Sequence, residues 1–260
     1  MIKMEKYVLG VDAAWTNKNP SGVALLKWAS DTAPKLVKTG RSYDEFCNGE
    51  RRDNLEGSMP NFSDIIGCCS QVDLIALDIP LSPHPIVKRR NADNIISHEY
   101  GKFKVSTHSP SPKRPGVIAT NIFDQLKKNG FEWACEYKET PAFIEVYPHV
   151  AIIEFFGYEK RFPYKIQKRA KYWPNDSSEE RYHKIISKLN ELRNKLTLKV
   201  DNIKDFLPLL DPNTYYKIKC LKGYEDLLDG VLSALVGCNF LDRKAEPKGD
   251  PTGVIWTPKN

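Results

Sequence analysis

No two of the six cysteines, Cys47, Cys68, Cys69, Cys135, Cys220 and Cys238, form a C-x-x-C pair, so the ligand spacing of a zinc ribbon is missing. No segment approaches the ~18 uninterrupted apolar residues of a membrane span, which argues against a helical membrane protein. The chain shows no internal repeat and no low-complexity tract. It also lacks the glycine-rich turns, Gly-Gly-Gly or Gly-Thr, with which actin-like phosphotransferases hold nucleotide phosphates in each half of a duplicated core. The opening residues are charged and run straight into an apolar stretch, leaving no room for a positive segment followed by an apolar one. The expectation is a cytoplasmic protein with reduced thiols, no membrane partner and no nucleotide cofactor.

What the chain does have is two aspartates closing two apolar runs. Asp12 ends Tyr7-Val8-Leu9-Gly10-Val11-Asp12, and Asp78 ends Leu74-Ile75-Ala76-Leu77-Asp78. Runs of that kind read as strands buried on both faces, in the middle of a sheet. An ionised carboxylate there costs several kcal/mol unless a metal ion, a cationic partner or a proton offsets it. An aspartate at a strand end also reads as a turn residue, and Asp78 stands two before Pro80.

With 260 residues, the chain is long enough for a full sheet-and-helix core in one elaborated domain, 1–260. A net charge of +6 permits an anionic partner without requiring one. The pattern predicts strands over 7–13, 22–28 and about 35–39, with Asn19-Pro20-Ser21-Gly22 as a turn, then a short helix over 61–70 and the strand ending at Asp78. From Pro80 to Gly116 little periodicity is sustained, and this stretch reads as a long functional excursion. A helix over 117–128, a strand over 142–147, a helix from the capping box Ser177–Glu180 through Leu196, and a helix from about Tyr224 to Leu241 complete the main elements. Gly253–Trp256 reads as a short extended segment.

On the last helix, Asp226 and Asp229 lie three apart and share a face, as do Glu225 and Asp229 four apart; spacing alone does not choose between the pairs. Gly230, Ser233 and Gly237 would let that helix approach a sheet closely. If its face meets the two strand ends, several carboxylates converge. Two unit charges about 4 Å apart repel by roughly 4 kcal/mol at an effective dielectric of 20. Mg²⁺ or Mn²⁺ relieves this, and two such ions about 3.5–4 Å apart serve in-line attack on a phosphodiester. Asp226 also reads as a complement to a helix dipole, and Glu145 as a neighbouring salt-bridge residue.

Gly10-Val11-Asp12-Ala13-Ala14-Trp15, Ala76-Leu77-Asp78-Ile79-Pro80-Leu81, Ile144-Glu145-Val146-Tyr147-Pro148, Asp226–Ala234 and Gly253–Pro258 together resemble the predicted RNase H-like nucleases of the domain-of-unknown-function family numbered 429. The chain departs from that family at Gly230, where members often have alanine. The resemblance implies an α/β fold: an RNase H-like mixed sheet, three antiparallel strands then parallel ones in the order 3-2-1-4-5, flanked by helices, with insertions at roughly 80–116 and 157–176. It implies a metal-dependent nuclease with Asp12, Asp78, Asp226 and Asp229 as catalytic metal ligands, Asp12 bridging two Mg²⁺ or Mn²⁺ ions. Glu145 and Glu225 would stand behind them.

Nucleic acid, DNA or RNA, is the expected partner. In Lys160–Trp173 cations alternate with aromatics, a composition that tracks phosphates and stacks on unpaired bases; Lys165, Lys168 and Arg169 are its candidate contacts. The same composition also suits a solvated segment covering core. Arg89 or Arg90 would clamp a phosphate, and none of His84, His98 and His108 is assigned a catalytic role. The competing readings are an actin-like phosphotransferase or ATPase, and a non-catalytic nucleic-acid-binding module of the same fold.

Overall fold

The computed structural model describes residues 4–50 and 55–259. The strands are β1 (Lys6–Asp12), β2 (Gly22–Trp28), β3 (Lys35–Gly40), β4 (Leu74–Leu77), β5 (Glu132–Trp133), β6 (Ala142–Val146), β7 (Ala245–Asp250) and β8 (Gly253–Pro258). The helices are α1 (Tyr43–Asn48), α2 (Phe62–Gly67), α3 (Asn91–Tyr100), α4 (Val117–Lys128), α5 (Pro148–Phe156), α6 (Arg169–Tyr172), α7 (Ser178–Leu196), α8 (Ile203–Phe206) and α9 (Ile218–Leu241).

β1, β2 and β3 form an antiparallel meander in which Asp12 pairs with Gly22. β4 joins β1 in parallel, with Leu77 opposite Val11, and β6 joins β4 in parallel, with Leu77 opposite Glu145. Every residue of β4 and β6 is buried, which is why β4 reads as an unbroken apolar run and β6 as one interrupted only by Glu145. The order β3-β2-β1-β4-β6 is the expected 3-2-1-4-5. The sheet continues beyond it, however, through β8 and β7, and the two-residue β5 pairs with β6 off the main path. The extended segment at the tail is therefore one arm of a hairpin: β8 lies parallel to β6 and antiparallel to β7.

Two further expectations are corrected. The excursion after Asp78 contains α3, whose Ala92, Ile96 and Tyr100 at helical spacing bury with Val105, Val150, Ile153 and Ile255 in a second, small core. The helix starts there because the Asp93 carboxylate accepts the Arg90 N–H at 3.0 Å. The last helix begins at Ile218, ahead of Tyr224, and nearly all of its residues from Leu221 to Phe240 are buried.

α9 lies across β1, β2 and β4, and α5 and α7 pack on it. Its small residues set the spacing. A Cβ on Gly10 would stand 2.1 Å from the Gly230 carbonyl oxygen, and one on Gly237 would stand 2.5 Å from Val8 Cγ1. Backbone thus meets backbone, and the acids of α9 are pressed against the ends of the central strands. Among the described residues no helix is long and apolar enough to cross a membrane.

Candidate metal centre

One carboxylate oxygen from each of Asp12, Asp226 and Asp229 lies within 4.8 Å of the others. Asp12 closes β1, and the two others share one face of α9, three residues apart. Asp78 follows β4, where its N–H donates to the Val11 carbonyl at 2.8 Å. Parallel pairing therefore sets Asp78 and Asp12 at the same end of neighbouring strands. Ser21 Oγ accepts the Ala14 N–H at 3.0 Å and holds the turn out of β1.

Glu225 faces elsewhere. Its Oε2 accepts the Ile166 N–H at 2.6 Å, and its Oε1 lies 3.3 Å from Lys165 Nζ and 3.1 Å from Lys222 Nζ. Asp226, not Glu225, is the α9 acid that joins Asp12 and Asp229.

Two ammonium groups are held against this cluster. Lys165 Nζ ion-pairs with Asp229, and Lys222 Nζ ion-pairs with Asp226. Tyr164 Oη donates to Asp229 Oδ1 at 2.5 Å. Even so, the acids are hard to ionise. Burial first, then the Asp12 carboxylate, pushes Asp78 well above the usual range. Burial does the same to Asp226 although Lys222 opposes it, and it raises Asp229 to about 7 against the pull of Lys165. The two lysines only partly balance the negative charge.

These donors fit a hard divalent cation: carboxylate oxygens within 4.8 Å of one another, mutually repelling, beside a cavity of about 840 Å³ lined by Asp12, Asp78, Asp226 and Lys222. Asp12, Asp226 and Asp229 would hold the ion, with Asp78 alongside.

The other sequence candidates are placed differently. Arg90, expected to clamp a phosphate, is buried and spends all its donors internally. Its guanidinium forks onto Glu145 at 2.6 and 2.7 Å, onto Asp93 at 3.1 Å, and onto the Leu81 carbonyl at 2.8 Å. Glu145 also accepts the Leu81 N–H at 2.7 Å, so it positions the chain just after Asp78. Arg89 is likewise engaged within the excursion, by Asn94, Ser109 and the carbonyls of Thr107 and Asp93. Neither arginine presents its guanidinium to the cleft. Arg169 bonds the Ile166 carbonyl at 2.9 Å, and Lys165 is drawn onto the acids, whereas Lys168 lines a cavity that Asp78 also lines.

Sequence reasoning missed Lys222 and Tyr164. Lys222 stands four residues before Asp226, a spacing that becomes informative only once α9 is seen to start at Ile218. Tyr164 is one of the aromatics of Lys160–Trp173, which the sequence leaves open between stacking on bases and covering core; it is fully buried, with its hydroxyl on Asp229.

Fold and site together define a mixed α/β protein with an acidic centre at the ends of its central strands. The chain belongs to the family described as a protein of unknown function, DUF429, which matches residues 10–251. No curated protein and no solved structure matches it.

Proposed function

We propose that this protein is a divalent-metal-dependent nuclease that hydrolyses phosphodiester bonds in nucleic acid, with Asp12, Asp78, Asp226 and Asp229 holding Mg²⁺ or Mn²⁺. The observation that carries this reading is the convergence of Asp12, Asp226 and Asp229 within 4.8 Å from two elements far apart in the chain. The strand order β3-β2-β1-β4-β6 supports an RNase H-like relation, because it sets Asp12 and Asp78 side by side.

A bound divalent ion supplies Lewis acidity and a water of lowered pKa. The chain's own residues do the rest. Tyr164 holds Asp229 by a hydrogen bond, and Lys165 and Lys222 supply positive charge to Asp229 and Asp226 until an ion binds. The Arg90–Glu145 fork holds the Ile79–Leu81 backbone and thereby Asp78. The cleft of about 840 Å³ beside the acids supports this reading by its size and position.

The test is cleavage of single-stranded, duplex and branched DNA and RNA with Mn²⁺ or Mg²⁺. Asp12→Asn and Asp78→Asn are expected to abolish cleavage while leaving the far-ultraviolet circular dichroism unchanged. Full cleavage by both variants, or by the wild type in EDTA, would overturn the proposal. ATP turnover without nucleic acid would point to the phosphotransferase reading, and EDTA-resistant binding without cleavage to a non-catalytic module.

A further inference from the structure

A second cavity, of about 240 Å³, adjoins the acidic cleft, and the two share Trp15, Asp78, His108, Gln167 and Lys222. Of its other carboxylates, Asp93 and Glu145 are paired with Arg90, and Glu225 with Lys165 and Lys222, while Arg161, Lys168 and the imidazole of His108 also line it. Among the described residues neither Arg161 nor Lys168 forms an ion pair with a carboxylate. The crowding has an electrostatic signature. Burial, Lys168, Arg161 and Arg114 lower the His108 pKa, and burial followed by Arg161 and Lys165 lowers that of Lys168 to about 8.

The same wall holds two buried donors without partners. Arg161 donates to His149 Nε2, which makes Nε2 the acceptor of a neutral imidazole and leaves the proton on Nδ1. His149 is 3 % exposed, and its Nδ1 has no hydrogen-bond partner; neither has the buried Nε of Arg161. An unmet buried donor costs about 1–3 kcal/mol. Cations without counter-ions, beside donors without acceptors, describe a place for an oxyanion.

The geometry points to this cavity as a subsite for a terminal phosphomonoester, the phosphorylated end of the strand whose neighbouring diester lies at the acids. Two features select an end over a passing strand. The volume is below the roughly 300–1,000 Å³ of drug-sized ligand sites, so it takes about one nucleotide unit. A phosphomonoester carries about −1.5 to −2 at pH 7, which answers a cluster of cations better than a diester's single charge. The strand in this assignment rests on the nuclease reading; the anion site itself does not.

The test is binding in EDTA, where no cleavage occurs, measured by calorimetry with one short oligonucleotide carrying either a terminal phosphate or hydroxyl ends. The wild type is expected to bind the phosphorylated form at least about tenfold more tightly, the effect of one charge-assisted hydrogen bond. Arg161→Met is expected to bring that ratio close to one. If this variant does not fold, Lys168→Met, at a half-buried position, is expected to reduce the ratio severalfold. Equal wild-type affinity for the two oligonucleotides overturns the subsite. Inorganic phosphate binding as tightly as the phosphorylated oligonucleotide overturns the assignment to a strand end. A wild type that shows the preference yet cleaves nothing keeps the subsite and removes the nuclease reading; one that cleaves without the preference does the reverse.

Discussion

Gly22 lies so close to α9 that a Cβ built on it would stand 2.0 Å from the carbonyl oxygen of Asp226. Gly22 is also the β2 partner of Asp12, so this one contact sets the gap between the strand acid and the helix acids. Gly22→Ala has no flexible side chain to push aside and must drive backbone from backbone. The expected loss is at or beyond the upper end of the about 1–3 kcal/mol of overpacked cores, read from chemical denaturation. Mn²⁺ affinity should fall with it. Gly67→Ala, at the end of α2 with nothing near its Cβ, should be neutral or stabilising by up to about 1 kcal/mol.

The Arg90–Glu145 fork is buried, with both side chains at most 5 % exposed. Arg90→Met strips the cation from both Glu145 and Asp93, a breakage that costs about 3–5 kcal/mol, whereas Glu145→Met leaves Arg90 on Asp93 and the Leu81 carbonyl. Arg90→Met should lose stability in that range and Glu145→Met less, and Arg90→Lys should recover little, since an ammonium cannot form the fork. The double variant should lose less than the sum of the two, because the Arg90–Glu145 pair is then gone from both sides and only Asp93 is left without its cation. Thermal unfolding of the four proteins checks this, and additive losses would contradict it.

These positions show what the sequence made legible. The central strands announced themselves because burial on both faces demands unbroken apolar runs, and their terminal aspartates stood out against that background. Asp226 and Asp229 followed from helical spacing. Partner choice was not legible. Arg90 resembled a phosphate clamp because an arginine in a polar excursion carries no mark of its own partner, and Glu145 lies 55 residues away. Lys165 and Lys222 were hidden for the same reason: what an ammonium pairs with depends on where α9 meets the segment before it. The β7–β8 hairpin escaped because β7, Ala245–Asp250, has a polar, partly exposed pattern with Pro247 and Gly249 inside it.

The raised pKa values of the acids make stability depend on pH with a defined sign. Asp229 moves from 3.8 in the unfolded chain to about 7 in the fold, and Glu145 from 4.5 to about 7. The folded state therefore holds protons that the unfolded state has released. That stabilisation is fully present below about pH 4 for these groups and is lost as pH rises through about 7. The metal-free protein should show a falling Tm between pH 5 and 8, other titrations being equal. Mn²⁺ should raise Tm more at pH 8 than at pH 5, since at pH 5 it must displace protons. A metal-induced shift that is equal at both values would contradict the carboxylate assignment.

Lys165 makes the sharpest separation between holding the fold and holding the metal. Its ammonium sits on Asp229 and Glu225, with its side chain 19 % exposed, so it does in the metal-free protein part of what a divalent cation would do. Lys165→Met removes that competitor and leaves the carboxylates in mutual repulsion. The metal-free protein should lose about 3 kcal/mol, the lower end for breaking a buried pair, while Mn²⁺ affinity rises by about tenfold or more. Saturating Mn²⁺ should then return the variant close to wild-type stability, because the ion relieves the charge that the lysine had balanced. Calorimetric titration and thermal unfolding with and without Mn²⁺ read both quantities. If affinity falls instead, Lys165 supports the ion's ligands and does not compete for them, and the charge-exchange account of this centre is wrong.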